Sequence, residues 1–163
     1  MKNNPIAVLG FGKTGQAVLE FLLAHEPQAS PLLFNDNEIN DRDSREAFER
    51  RGVRFLIGAD KFAELIACRL VITSPGFDGK NPRFSALRSR GVEIVSEIEY
   101  ASRRIQAKII AVSGSNGKST TVSLIHHLLG RAGRNSILAW NIGIPFIAQT
   151  TDVSTDSIVV LEL

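Results

Sequence analysis

Seven residues in the second half of the chain have the composition and spacing of a phosphate-binding loop. They are Gly114, Ser115, Asn116, Gly117, Lys118, Ser119 and Thr120. The loop follows the apolar run 108–113, which predicts a buried strand, and precedes a helical repeat that includes Val122. Glycines let backbone N–H groups surround phosphate oxygens, Lys118 adds charge for the β- and γ-phosphates, and the Ser119 hydroxyl can ligate Mg²⁺. The pattern indicates ATP binding; a glycine-rich turn without a ligand is the alternative.

A second glycine motif, Gly10-Phe11-Gly12-Lys13-Thr14-Gly15, lies between a predicted strand and a predicted helix. The acid Asp36 follows the second predicted strand, where nucleotide-binding folds place a carboxylate near the ribose or the base. A glycine turn at a helix N-terminus binds any diphosphate, so the motif indicates either a dinucleotide or a nucleotide sugar. The alternative is that the glycines serve only tight packing of the strand against the helix.

A third loop, Ser74-Pro75-Gly76, follows the fourth predicted strand. Ligands of open α/β sheets bind outside the carboxyl ends of the strands, so this loop is expected on the same rim as Thr14 and Asp36. An ordinary proline turn is the alternative interpretation.

Strands and helices alternate along the whole chain. The predicted strands span 6–9, 32–34, 53–57, 70–73, 93–95, 108–113, 136–139 and 158–163. The predicted helices span 14–24, 41–51, 61–67, 81–90 and 97–104, and a further helix ends near 131. Connections that leave room only for helical crossovers predict an α/β fold, with a parallel sheet covered by helices on both faces. The charged stretch 103–108 predicts the junction with a second, shorter unit.

The composition excludes several classes of protein. A net charge of +2 on 163 residues, without a basic cluster interleaved with aromatics, argues against nucleic-acid binding. No apolar run is long enough to cross a membrane, which makes a cytoplasmic location the expectation. The single cysteine, Cys68, excludes an internal disulfide and is expected to be buried. The histidines His25, His126 and His127 lack metal-ligand spacing and are expected to be structural or on the surface.

The order of these motifs resembles the Mur ligases. The residues that carry the resemblance, besides the two glycine motifs, are Ser74-Pro75-Gly76, Ser96-Glu97-Ile98-Glu99, Asn141-Ile142-Gly143-Ile144-Pro145 and Leu161-Glu162-Leu163. The likeness spans the whole chain, and the combination of Gly10–Gly15, Ser74–Gly76 and Asn141–Gly143 points to the branch that adds D-glutamate.

The resemblance implies a Rossmann-like domain at 1–104 that binds the UDP part of the substrate, followed at 105–163 by the incomplete start of a P-loop ATPase-type α/β domain. The substrate-binding residues that it implies are Gly12, Lys13, Thr14, Asp36, Asn37, Ser74, Pro75, Gly76 and Asn141. Lys13 and Thr14 fall at the diphosphate, Asp36 and Asn37 at the uracil, and Asn141 at the muramoyl group. The loop 74–76 would close over the nucleotide.

The resemblance also implies the chemistry. ATP would phosphorylate a carboxylate of UDP-N-acetylmuramoyl-L-alanine, and the amine of D-glutamate would attack the acyl phosphate, in peptidoglycan precursor synthesis. Lys118 and Glu162 would be catalytic, with Mg²⁺ held by Ser119 and Glu162. Because the chain stops at Leu163, we expect an N-terminal fragment without ligase turnover, whose strand 158–163 lacks neighbours and invites self-association.

Two other functions remain open at this point. One is a non-catalytic module that senses NAD(P) or a nucleotide sugar through Gly10–Gly15. The other is a related amide ligase, such as a folylpolyglutamate synthase, that joins a different amino acid to a different carrier. Titration with NAD and UDP separates the first of these from the ligase.

Overall fold

A computed structural model describes residues 5–74, 81–139 and 144–163. The chain forms two compact units, Met1–Glu97 and Ile98–Leu163. The division after residue 104 that the resemblance implies stays a prediction. The predicted site residues Pro75, Gly76 and Asn141 lie outside the described residues.

The first unit is built on a five-stranded parallel sheet. Its strands are β1 (Ile6–Leu9), β2 (Leu32–Asn35), β3 (Arg54–Ile57), β4 (Leu70–Thr73) and β5 (Glu93–Ser96), in the order β3-β2-β1-β4-β5. The connections contain α1 (Lys13–His25), α2 (Arg42–Arg50), a 3-10 segment (Ala59–Ala67) and α3 (Arg83–Arg88), and α4 (Glu97–Ser102) follows β5. The predicted α/β fold, with parallel strands flanked by helices, is confirmed.

Local sequence signals set the ends of α2 as predicted. The Asp41 carboxylate accepts a hydrogen bond of 3.1 Å from the Ser44 backbone N–H, which caps the helix. Hydrogen bonding from the Ser44 side chain, and then from this backbone N–H, lowers the pKa of Asp41. At the other end Gly52 has a φ of +91°, a backbone conformation that side-chain-bearing residues rarely adopt.

The short helix predicted at 61–67 is present as a 3-10 helix, Ala59–Ala67. Its winding repeats every three residues, so Phe62 and Leu65 point to the same side, and both are buried. The tighter winding therefore places the apolar side chains of a short crossover on the sheet.

One face of the sheet is covered by a contiguous apolar cluster that includes residues from four strands and two crossovers. Its members are Ala7, Leu9, Leu32, Phe34, Leu56, Phe62, Leu65, Cys68, Val71, Phe84, Leu87 and Val92. Cys68 is buried, as predicted.

Burial raises the pKa of the Cys68 thiol to about 11. Because the thiolate is the reactive form, a rise of about two pKa units predicts roughly 100-fold slower alkylation of the native chain than of the urea-unfolded chain at pH 8. Iodoacetamide labelling followed by mass spectrometry measures the alkylation rates of the native and the unfolded chain, and equal rates would contradict the burial.

The raised pKa of Cys68 also links stability to pH. Burial of the thiol stabilises the fold below the thiol's unfolded pKa, and this contribution is lost as the pH rises toward 11.

The second unit contains a three-stranded parallel sheet. Its elements are β6 (Lys108–Val112), α5 (Lys118–Arg131), β7 (Ser136–Ala139), α6 (Phe146–Gln149), a 3-10 turn (Thr150–Asp152) and β8 (Ile158–Glu162). The strand order is β6-β8-β7, so the last strand in the sequence is central in the sheet. No helix in the described ranges is both long and apolar enough to cross a bilayer.

Two predictions about these strands are wrong. The run 108–113 was expected to be buried, but β6 lies at an edge of the sheet, where Ile109 and Ile110 are 38% and 36% exposed. The run 158–163 was expected to lack neighbours, but β8 pairs with β6 and β7 and is buried along its length. Self-association through the second sheet stays a prediction.

Candidate nucleotide sites

The strand order of the first unit predicts a ligand-binding crevice at the carboxyl ends of β1 and β4. The chain moves outward in one direction through β1, β2 and β3 and then returns to β4 on the other side of β1, and such a reversal is where open α/β sheets bind ligands. The glycine turn that starts at Gly10 follows β1, and Ser74 follows β4. The Ser74 hydroxyl donates a hydrogen bond of 2.9 Å to the Leu9 carbonyl, which joins the two strand ends.

The glycine turn brings α1 unusually close to β1. A Cβ atom on Gly15 would lie 1.8 Å from the Gly10 carbonyl oxygen, so only glycine permits this approach. At Gly12, by contrast, an added Cβ would meet no atom of the described residues within 4 Å, which leaves space in front of the helix. Among the described residues no side chain caps the N-terminus of α1, and its first turn contains no acidic residue, so its N–H groups and the exposed Lys13 are available to an anion.

The side chain of Asn35 connects this turn to the segment after β2. Its Oδ1 accepts a hydrogen bond of 3.4 Å from the Phe11 backbone N–H, and its Nδ2 donates one of 2.7 Å to the Asn37 carbonyl. Sequence reasoning singled out Asp36 and Asn37 and missed Asn35, whose position at the end of an apolar strand gives no signal of this role.

The carboxylate of Asp36 is paired with a residue that the sequence analysis did not select. Arg83 Nη1 lies 2.8 Å from Asp36 Oδ1, and both side chains are about one-third exposed. The residues are 47 positions apart, and no local pattern predicts their contact. Asn37, the residue that follows Asp36 in the sequence, is exposed.

The phosphate-type loop of the second unit follows β6 and ends at the start of α5. Gly114 and Gly117 have φ values of +154° and +76°, and Gly117 occupies the position that caps α5. Lys118 Nζ donates a hydrogen bond of 2.8 Å to the Gly114 carbonyl, so the lysine folds back over its own loop, and within the described ranges it does not pair with a carboxylate. The loop residues 113–117 are exposed, as are Ser119 and Thr120.

Glu162 lies at the carboxyl end of β8, in register with Val112 at the end of β6. The Leu163 N–H donates to the Val112 carbonyl at 2.9 Å, which fixes this end of the sheet. Glu162 is only 5% exposed, and its Oε2 is buried without a hydrogen-bond partner in the described part of the chain. A buried carboxylate oxygen that lacks a partner is costly unless a cation or water satisfies it.

This environment fits a magnesium ion. Mg²⁺ prefers oxygen ligands and is usually bound by one or two protein groups together with substrate phosphates and waters. Ser119 and Glu162 offer a hydroxyl and a carboxylate at the carboxyl end of one sheet. In the ranges that the structure describes, no three His, Cys, Asp or Glu side chains form a cluster that could hold a metal by themselves.

The first unit matches a known family. The family described as Mur ligase MurD-like, N-terminal domain, matches residues 4–96, which is more than half of the chain. The chain belongs to the Mur ligases. The match covers the glycine turn, Asp36, Arg83 and Ser74, so the crevice described above is part of the family domain.

Two relatives match over nearly the whole chain. The UDP-N-acetylmuramoylalanine–D-glutamate ligase of Alkaliphilus metalliredigens is 29% identical and covers 100% of the chain. The enzyme of the same name from Alkaliphilus oremlandii is 31% identical and covers 99%. The chain spans 36% of the length of each of these relatives.

A solved Mur-type structure shares the fold. A pseudomurein peptide ligase type C from Methanothermus fervidus aligns over 99% of the chain and 33% of its own length, with a TM-score of 0.52 and 14% identity. At this identity the similarity supports the α/β architecture of the chain and no finer detail.

Proposed function

We propose that this chain carries the nucleotide-sugar site and the ATP-phosphate loop of a ligase that adds D-glutamate to UDP-N-acetylmuramoyl-L-alanine in peptidoglycan precursor synthesis. The observation that carries the proposal is the glycine turn at the strand reversal of a MurD-like N-terminal domain. The turn presents uncapped N–H groups, open space and a lysine at one place, which suits a diphosphate.

In the first site, Lys13 and Thr14 would bind the diphosphate of the UDP group. Asp36 and Asn37 would bind the uracil, because a carboxylate can accept a hydrogen bond from its one N–H donor and the amide of an asparagine can donate to one of its carbonyl oxygens. Ser74, whose hydroxyl is tied to the end of β1, would form the wall of the crevice. Pro75 and Gly76 at the nucleotide, and Asn141 at the muramoyl group, complete the proposed contacts.

In the second site, Lys118 would exchange its bond to the Gly114 carbonyl for the phosphates of ATP. Ser119 and Glu162 would hold Mg²⁺, which supplies charge neutralisation for phosphoryl transfer. The backbone N–H groups of the loop, from Gly114 to Thr120, would surround the phosphates. The substrate carboxylate would then take the γ-phosphoryl group of ATP to form an acyl phosphate, with ADP as the leaving group. Attack by the D-glutamate amine would form the amide and release inorganic phosphate and a proton.

Gly12→Ala tests the first site without straining the backbone. Gly12 has a φ of −76° and open space around its Cβ position, so alanine fits the apo fold. The added methyl group would occupy the space where the diphosphate is proposed to bind, so we expect UDP affinity to fall at least about tenfold, or about 1.4 kcal/mol. Isothermal titration calorimetry of the whole chain with UDP measures the loss.

Gly130→Ala is the matched control, because Gly130 lies within α5 and an added Cβ there also meets nothing within 4 Å. It should leave UDP binding unchanged. Equal UDP affinities for Gly12→Ala and the parent chain would contradict the proposed diphosphate position. Tight binding of NAD without a response to UDP would instead favour the NAD(P)-sensing module. A cytoplasmic location, the choice of D-glutamate and self-association remain predictions.

A further inference from the structure

The side chain of Arg83 joins three segments at the rim of the first sheet. Its Nη1 donates to Asp36 Oδ1 at 2.8 Å, and its Nη2 donates to the Ala59 carbonyl at 3.1 Å. The two donors are parts of one planar group, so the two bonds together fix the orientation of the guanidinium as well as its position. The carboxylate at the end of β2 is thereby held against the 3-10 segment.

The guanidinium is also held from below by an aromatic ring. Arg83 Cζ lies 3.9 Å from the centroid of the Phe62 ring, a distance that favours a cation–π interaction. Phe62 packs edge-on against Phe34, with 5.3 Å between centroids, and at a tilt against Phe84. Phe34 and Phe84 are almost completely buried, so Arg83 rests on a rigid part of the core.

The backbone of Arg83 is fixed as well, because its N–H donates a 3.0 Å hydrogen bond to Asn81 Oδ1. The charged pair itself remains open to a ligand, since 36% of the Arg83 side chain and 34% of the Asp36 side chain are exposed. Ion pairs with this exposure contribute little to stability. The contacts of Arg83 instead fix the orientation of the Asp36 carboxylate.

Asp36 Oδ2 has no hydrogen-bond partner in the described part of the chain, whereas Oδ1 is held by Arg83. An ionised carboxylate can only accept hydrogen bonds, so the second oxygen of this partly exposed side chain is an acceptor whose position the Arg83 contact helps to fix. Uracil carries an N3–H donor, and cytosine carries an acceptor at the same ring position. A fixed acceptor therefore distinguishes the two pyrimidines more sharply than a carboxylate that can rotate.

We infer that Arg83 is a positioning residue that sets the base specificity of the nucleotide site, by holding Asp36 so that its free oxygen accepts the N3–H of uracil. This inference rests on the proposed function of the crevice. Arg83 acts through Asp36 and does not contact the base. Removing the Arg83 guanidinium should therefore reduce discrimination between bases and leave the binding of a diphosphate alone unaffected.

The experiment is calorimetric titration of the whole chain with UDP, CDP and inorganic pyrophosphate. The parent chain should bind UDP more tightly than CDP. In Arg83→Met, which keeps an apolar stem on Phe62, we expect UDP affinity to fall about tenfold and the UDP-to-CDP ratio to approach one. Pyrophosphate affinity should stay within about twofold. Arg83→Lys keeps the charge but loses the planar pair of donors, so its UDP-to-CDP affinity ratio should lie between those of the parent chain and Arg83→Met.

Arg51 provides a matched control for loss of an arginine pair. Arg51 pairs with Glu20 through two hydrogen bonds, one of them 2.8 Å long, and its Cζ lies 5.5 Å from the Phe48 ring. Arg51→Met therefore removes a similar pair of contacts, one with a carboxylate and one with an aromatic ring. These contacts involve Arg51 at the C-terminal end of α2 and do not include Asp36. It should leave the UDP-to-CDP ratio unchanged.

A double substitution tests whether Arg83 acts through Asp36. Asp36→Asn should by itself bring the UDP-to-CDP ratio close to one, and adding Arg83→Met should then change the ratio no further. If Arg83→Met and Arg83→Lys keep the parent ratio while Asp36→Asn loses it, the inference about Arg83 is overturned and the uridine site stands. If the parent chain does not bind UDP, the proposed function fails and the inference fails with it.

Discussion

Replacing Gly15 with alanine is expected to destabilise the first unit more than any other single methyl addition proposed above. The new Cβ would lie 1.8 Å from the carbonyl oxygen of Gly10, far inside van der Waals contact, and the clashing atom belongs to the backbone. Relief requires α1 to move away from β1, which opens the packing around the buried residues Val18 and Leu22. Since overpacking of a core costs about 1–3 kcal/mol, we expect a loss of at least about 3 kcal/mol.

Urea unfolding followed by far-ultraviolet circular dichroism measures this effect. Gly130→Ala, a helical site with open space, is the control and should raise stability by about 0.5–1 kcal/mol, because alanine favours helix over glycine. An unchanged unfolding midpoint for Gly15→Ala would mean that α1 does not approach the turn as closely as described.

Replacing Glu162 with methionine should stabilise the second unit and remove the proposed effect of magnesium on ATP binding. The Oε2 atom of Glu162 is buried without a hydrogen-bond partner among the described residues, and such an unsatisfied group costs about 1–3 kcal/mol. An apolar side chain of similar length removes that cost, so we expect the unfolding midpoint in urea to rise. The same change removes a proposed Mg²⁺ ligand, so Mg²⁺ should no longer strengthen ATP binding.

Asp156→Asn is a suitable control, because it removes one negative charge from an exposed position in the same unit. It should change neither the midpoint nor the magnesium dependence of ATP binding in calorimetry. A fall in stability together with unaltered magnesium-dependent ATP binding in Glu162→Met would show that Glu162 has a structural role, and would remove it from the proposed metal site.

The motifs of the chain were predictable because each depends on neighbours in sequence. Gly10 and Gly117 adopt positive φ values at the turns where the glycine patterns predicted them. Asp41 and Gly52 bound α2 as their residue types indicate. Alternating apolar segments were sufficient for the α/β fold, since short connections leave few ways to join parallel strands.

The errors arose where pairing across the chain decides the outcome. The apolar content of 108–113 suggested burial, but strand order alone places β6 at an edge and β8 between two neighbours. The short helix α6 (Phe146–Gln149) was not predicted, because four residues are too few to show a helical repeat. The roles of Asn35 and Arg83 depend on contacts across 24 and 47 positions, which no local pattern contains.

The bridging amide of Asn35 has a consequence for how a nucleotide would be recognised. The Asn35 side chain contacts the backbone of the glycine turn at Phe11 and the backbone beyond Asp36 at Asn37. The proposed diphosphate site and the proposed uracil site are therefore connected by hydrogen bonds through one side chain. The spacing between anchor points is therefore set before any molecule arrives. A nucleotide whose diphosphate and base match that spacing loses less translational and rotational entropy on binding than a separate diphosphate and base would. The site would therefore select ligands by the distance between these two groups as well as by their chemistry.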